Sequence, residues 1–92
     1  MMTVTNHPER HRYVIEVDGA EAGYAEYLLR PETIVFTHTV IDPAFGGQGV
    51  GSTLAREVLD DSRAKGLHVV PQCPFIHAFI SKHPEYADLV AS

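Results

Sequence analysis

With 92 residues, 45% of them apolar and 21% charged, the chain has the composition of one ordinary globular domain whose core is thin and would gain from weak pairing with a second copy. Twelve acidic residues against seven basic ones leave a net charge of -5, which argues against nucleic-acid binding. No apolar run reaches the roughly 18 residues of a spanning helix, and the single cysteine, Cys73, has no internal disulfide partner, so a cytoplasmic protein without a membrane partner is expected.

Residues 1–10 are polar, with Asn6, His7 and Pro8, and are expected to be a disordered lead-in; they lack the charged-then-apolar pattern of a secretory signal. Residues 11–92 are expected to form a single domain. His11 to Val17 alternates, placing Tyr13, Ile15 and Val17 on one face of a half-buried strand. Asp18-Gly19 is a hairpin turn signal, and Glu21 to Leu29 supplies the second strand, broken by Arg30-Pro31-Glu32. Thr33 to Ile41, rich in Thr, Ile, Val and Phe, is the most β-prone segment. These three segments predict an antiparallel meander.

Val50, Leu54 and Val58 recur at helical spacing with Ala55 and Leu59 beside them, predicting an amphipathic helix over residues 49–65 that Gly66 ends. Leu67 to Gln72 reads as a short strand, and a crossover of this length makes it parallel to the third. Pro74 then opens a helix striped by Phe75, Ile76, Phe79 and Ile80. His83-Pro84 stops it and begins a last short helix whose Tyr86, Leu89 and Val90 dock the C-terminus. The fold class is α/β with α+β character: an antiparallel three-stranded meander, a helix, a parallel fourth strand and two short C-terminal helices.

The stretch between the third strand and the long helix, Asp42 to Ser52, carries four glycines in six residues, Gly46, Gly47, Gly49 and Gly51. Without β-carbons the free N–H groups of the helix start can be approached closely, and the helix dipole there favours an anion. A phosphate held by backbone amides is one reading, and a flexible loop is the other. The spacing lacks the lysine of a nucleotide-triphosphatase loop and fits poorly to the dinucleotide fingerprint.

The loop is similar to the acetyl coenzyme A site of the GNAT acetyltransferases, whose motif is Gln/Arg-x-x-Gly-x-Gly/Ala. Gly49 and Gly51 match its glycines, and Gly46 replaces the leading Gln or Arg. Thr37-His38-Thr39, the loop Phe45 to Gly51, Cys73-Pro74-Phe75 and His83-Pro84-Glu85-Tyr86 together resemble the minimal YjdJ-type GNAT subgroup, from about Tyr13 onward. The resemblance implies a minimal GNAT fold and transfer of an acetyl group from acetyl-CoA to an amine acceptor, protein or small molecule. It places the pyrophosphate on Gln48, Gly49, Val50, Gly51 and Ser52, with Gly46 and Gly47 also counted as cofactor-binding, the pantetheine arm along Thr39, Val40 and Ile41, and the acetyl group near Cys73, which lines the cofactor site. The subgroup usually shows His-Thr-Glu where this chain has His38-Thr39-Val40, and a tyrosine where Phe79 stands, so water, His77 or Tyr86 would have to replace that phenol as acid.

Cys73 precedes Pro74 at an N-cap, where the helix dipole favours a negative sulfur. A thiolate there can accept and pass on the acetyl group, while a cysteine that lines the site or merely packs is the competing reading. His38, placed by strand alternation with Ile34, Phe36 and Val40, reads either as general base or as a core histidine. Cys73, His77 and His83 lack a fourth ligand for zinc, and no metal is expected. A coenzyme A-binding module without catalysis is the alternative function.

Overall fold

A computed structural model describes residues 1–91; residue 92, the last of the expected domain, lies outside them. Five strands form one sheet in chain order: β1 (Met2–His7), β2 (Arg12–Val17), β3 (Ala20–Leu29), β4 (Thr33–Ile41) and β5 (His68–Pro71). The first four are antiparallel neighbours and β5 is parallel to β4. The crossover holds α1 (Val50–Ala64), and α2 (Pro74–Lys82) with a 3₁₀ segment, Pro84–Leu89, follows β5.

The N-terminus corrects the expectation of a disordered lead-in. Met2–His7 pairs with β2 from Met2↔Val17 to His7↔Arg12. Met2 and Val4 pack on the core while Thr3 and Thr5 are exposed. The period-2 pattern spans only two apolar residues, and the strand is made stable by a partner rather than by its own composition. Between β2 and β3, Asp18 and Gly19 have φ of 49° and 85°, the left-handed pair of a hairpin turn whose twist matches the strands.

Both α-helices and the C-terminal 3₁₀ segment lie on one face of the sheet. Val50, Leu54, Ala55, Val58 and Leu59 of α1 join Ile76, Phe79 and Ile80 of α2, Tyr86 and Leu89, and the inward residues of the strands in one buried cluster. Each large aliphatic side chain so buried contributes about 1.5–3 kcal/mol, which is how a chain this short holds together. Among the described residues the opposite face has no α-helix over it, and it carries Arg12, Val14 and Glu16 of β2, Tyr24, Glu26 and Leu28 of β3, and Val35, His38 and Val40 of β4.

A bulge sets the site. Glu26 pairs with His38 and Tyr27 with Phe36, so Thr37 is an extra residue in β4. One inserted residue inverts the alternation beyond it. Ile34 and Phe36 face the helices, and after the bulge so do Thr39 and Ile41. His38 is therefore on the open face, not on the face of Ile34 and Phe36 as regular alternation predicts.

β4 and β5 then part. Their pairing ends at Phe36↔Pro71, and the Cys73 N–H closes it with a 2.9 Å bond to the Phe36 carbonyl. Beyond that point β4 continues to Ile41 with β3 on one side and, among the described residues, no strand on the other.

Candidate active site

Two features meet where β4 and β5 separate. The first is the start of α1. Gly49 is its N-cap at φ 76°, a left-handed conformation that strains any residue with a β-carbon, and no side chain caps the helix. Asp42 caps the preceding 3₁₀ turn by accepting from the Ala44 N–H at 2.9 Å, and the Gly46 N–H is taken by the Pro43 carbonyl at 3.1 Å. From Gly47 to Ser52 no N–H has a hydrogen-bond partner among the described residues. The first turn holds no acidic residue, so nothing of the chain's own occupies the positive end of the helix. Gly46, counted with the loop from its motif position, thus flanks the free donors without adding one.

The second feature is a groove of about 320 Å³ between the free edge of β4 and the start of α2, lined by Thr37, His38, Thr39, Cys73, Pro74 and Phe75. Cys73 is the N-cap of α2, with Pro74 in its first turn, as its place before a proline predicts. It is only 3% exposed, and its thiol donates to Thr39 Oγ1 at 3.2 Å. His38 is exposed, with Nδ1 2.9 Å from the Thr37 carbonyl. A carbonyl only accepts, so Nδ1 carries the hydrogen and Nε2 is the ring nitrogen left to exchange a proton with a ligand in the groove. Thus Cys73 and His38 line one groove, the sulfur at its helix side and the imidazole on the open face. The walls carry a thiol and an imidazole, and the donors of Gly47 to Ser52 lie at the mouth of the adjoining helix.

Val40 and Ile41 continue the free edge of β4 beyond the groove, Val40 outward and Ile41 against the core. Tyr86 and His77 do not line the groove. The Tyr86 hydroxyl donates to Asp60 Oδ1 at 2.7 Å, and burial raises its pKa above the ordinary value, so it is occupied in binding α1 to the C-terminal segment. Phe79 is buried and stacked on His83, with ring centroids 3.9 Å apart. Among the described residues no three His, Cys, Asp or Glu side chains come together as a metal site.

Sequence reasoning placed Phe75 in a helical stripe and in the Cys73-Pro74-Phe75 motif but gave it no role in the site. Its ring is 38% exposed and lies against Gly51, where an added β-carbon would stand 2.7 Å from Phe75 Cζ. It walls both the groove at Cys73 and a second one of about 290 Å³ lined by Ser52, Ala78, Phe79, Lys82 and His83. The available signal was position: the residue follows Pro74, in the first turn of a short helix beginning at the groove.

The sequence matches the GCN5-related N-acetyltransferase family over residues 12–89. The chain belongs to that family. This acetyltransferase has the fold of several solved structures. One is the solution structure of a GCN5-like protein from Staphylococcus aureus, with TM-score 0.73 and 22% identity, covering 98% of this chain and 88% of that one. Another is ribosomal-protein-alanine N-acetyltransferase from Brucella melitensis biovar Abortus 2308, with TM-score 0.62 and 17% identity, covering 88% of this chain and 61% of that one. A third is AAC(6')-Iy in complex with the bisubstrate analogue CoA-S-monomethyl-acetylneamine, with TM-score 0.55 and 15% identity, covering 88% and 61%. The acetyltransferase thus spans less than two thirds of the second and third neighbours. A search of curated protein sequences gave no match. No helix among the described residues is long and apolar enough to cross a membrane.

Proposed function

We propose that this acetyltransferase moves an acetyl group from acetyl-CoA to an amine acceptor, a protein or a small molecule, in the cytoplasm. The observation that supports this reading most is the run of unpartnered main-chain donors from Gly47 to Ser52 opening beside the Cys73 groove. A diphosphate suits that run because each free N–H gains an anionic acceptor and the helix dipole adds to it. The pantetheine arm would lie along Thr39, Val40 and Ile41, where the edge of β4 offers main-chain groups that no strand takes. The thioester then reaches the space between Thr39 and Cys73.

Two chemical routes use the same walls. In the direct route the amine gives its proton to His38 Nε2 and attacks the acetyl carbon, and coenzyme A leaves as the thiol after taking that proton. In the covalent route Cys73 attacks first, a new C–S bond replaces that of acetyl-CoA, and coenzyme A leaves as the thiol with the proton Cys73 gave up. The amine then displaces Cys73, whose sulfur leaves as the thiol with the amine's proton. Calorimetric titration with acetyl-CoA tests binding, and intact mass after incubation with labelled acetyl-CoA separates the routes. A 1:1 label on the wild-type chain that is absent from Cys73→Ala supports the covalent route, whereas full turnover by Cys73→Ala removes the sulfur from the chemistry.

A coenzyme A-binding module without catalysis is the second reading. Val40 and Phe79 favour it, standing where the resembling subgroup has a carboxylate and a phenol. Tight binding without thiol release in the presence of any amine would decide for the module.

A further inference from the structure

The open face of the sheet carries a carboxylate directly beside the imidazole of the groove. Glu26 and His38 are paired across β3 and β4, so their Cβ atoms are about 5 Å apart on the face no helix covers. The bulge creates this pairing. With Thr37 in regular register, Glu26 would oppose Thr37 instead.

Glu26 is held by one oxygen only. Arg12 Nη2 donates to Oε2 at 2.8 Å, and Oε1 has no hydrogen-bond partner among the described residues. Arg12 is itself fixed, its guanidinium 4.1 Å from the Tyr24 ring centroid. The carboxylate is thus aimed and half free. On the same face, one row to either side, stand two exposed aliphatic side chains, Leu28 at 49% and Val40 at 42%.

We propose that Glu26 is the residue that recognises the acceptor, and that the acceptor is an alkylammonium group, a positive amine on an aliphatic stem. This rests on the acetyltransferase reading above and adds the chemistry of its second substrate. The free Oε1 gives an ammonium a charge-assisted hydrogen bond that an alcohol or a carboxylate cannot match. Val40 or Leu28 covers the stem. The ammonium lies beside His38 Nε2, which takes one N–H proton. The freed nitrogen forms its bond to the acetyl carbon as the C–S bond breaks, the departing thiolate takes the proton from His38, and the new amide nitrogen releases its second proton to solvent. Because β4 and β5 have parted, acceptor and thioester enter the groove from opposite faces of the sheet.

The test uses n-butylamine, with n-butanol as its neutral counterpart, on the full chain. Calorimetry with acetyl-CoA alone comes first, and absence of binding there overturns the acetyltransferase reading itself. With binding established, n-butylammonium added to the coenzyme A complex should shift the backbone NMR signals of Glu26 and His38, and n-butanol should not. In steady state, Glu26→Gln, which keeps an oxygen for Arg12, should raise the KM for n-butylamine at least tenfold with acetyl-CoA affinity unchanged, and Glu26→Asp should recover part of the loss. Equal KM values for wild type and Glu26→Gln, no turnover of n-butylamine, or equal shifts by amine and alcohol would overturn the assignment.

Discussion

Phe75 lies over Gly51 so closely that a β-carbon there would stand 2.7 Å from the end of its ring. The contact ties the second residue of α1 to the second residue of α2, and thereby the glycine loop to the thiol groove. Gly51→Ala sets two small effects against each other. Alanine in a helix is favoured over glycine by about 0.5–1 kcal/mol, and the clash is with the tip of a partly exposed side chain that can swing away. Thermal unfolding should therefore show a stability change within about 1 kcal/mol. Acetyl-CoA affinity should fall, because the displaced ring walls both grooves, and Phe75→Ala in the same chain should remove the clash without restoring the wall.

Gly49→Ala should behave differently. Its φ of 76° is maintained by the chain turning into α1, and no neighbour lies within 4 Å of an added β-carbon. The whole cost is then backbone strain, about 1–2 kcal/mol for a residue with a side chain. Denaturant unfolding should show that loss, and calorimetry should show weaker acetyl-CoA binding because the N–H groups on either side turn with the backbone. Unchanged binding in a folded Gly49→Ala would mean that the loop donors are not the diphosphate site.

Local rules made much of this arrangement legible. The Asp18-Gly19 turn, the apolar spacing of α1 and Pro74 each act within a few residues, and the structure has the hairpin, helix and N-cap they imply. The features missed depend on partners distant in sequence. β1 exists because β2 offers it an edge. Thr37 becomes a bulge because β3 and β4 pair in two registers on either side of it, and period-2 reasoning across it put His38 on the wrong face. Phe75 and Glu26 gain their significance only from Gly51 and His38, neighbours across the fold.

Tyr13 and Asp61 predict a pH window for stability. The buried Tyr13 hydroxyl donates to Asp61, which Lys65 also contacts at 2.9 Å. Burial pushes Asp61 up, but the bonds from Tyr13 and Lys65 outweigh it and hold the carboxyl below its ordinary value of 3.8. Burial, with Asp61 adding to it, pushes Tyr13 above its ordinary value of 10.0. A lowered carboxylate contributes stability that is present above its unfolded value and lost as pH falls through the folded one. A raised phenol contributes stability present below its unfolded value and lost as pH rises. Chemical unfolding should thus show a plateau between about pH 5 and 9 with losses below and above it. Asp61→Asn should flatten the acid side. Tyr13→Phe should flatten the alkaline side and cost about 1–2 kcal/mol at neutral pH, the penalty for removing one partner of a part-buried hydrogen bond.

Tyr86 separates a structural phenol from a catalytic one. Its ring is buried in the core and its hydroxyl donates to Asp60, while Arg63 bonds Asp88 and the Glu85 carbonyl beside it. These contacts fasten the 3₁₀ segment to α1 and leave the hydroxyl outside the Cys73 groove. Tyr86→Phe keeps the ring and removes the bond to Asp60 together with the long 3.5 Å bond the hydroxyl accepts from Arg56, so unfolding free energy should drop by about 1 kcal/mol. The acetyl-transfer rate and its pH profile should be unchanged under folded conditions. A loss of rate of a hundredfold or more in a fully folded Tyr86→Phe is the size expected of a general acid. It would require the 3₁₀ segment to move during turnover, bringing the hydroxyl from Asp60 to the groove.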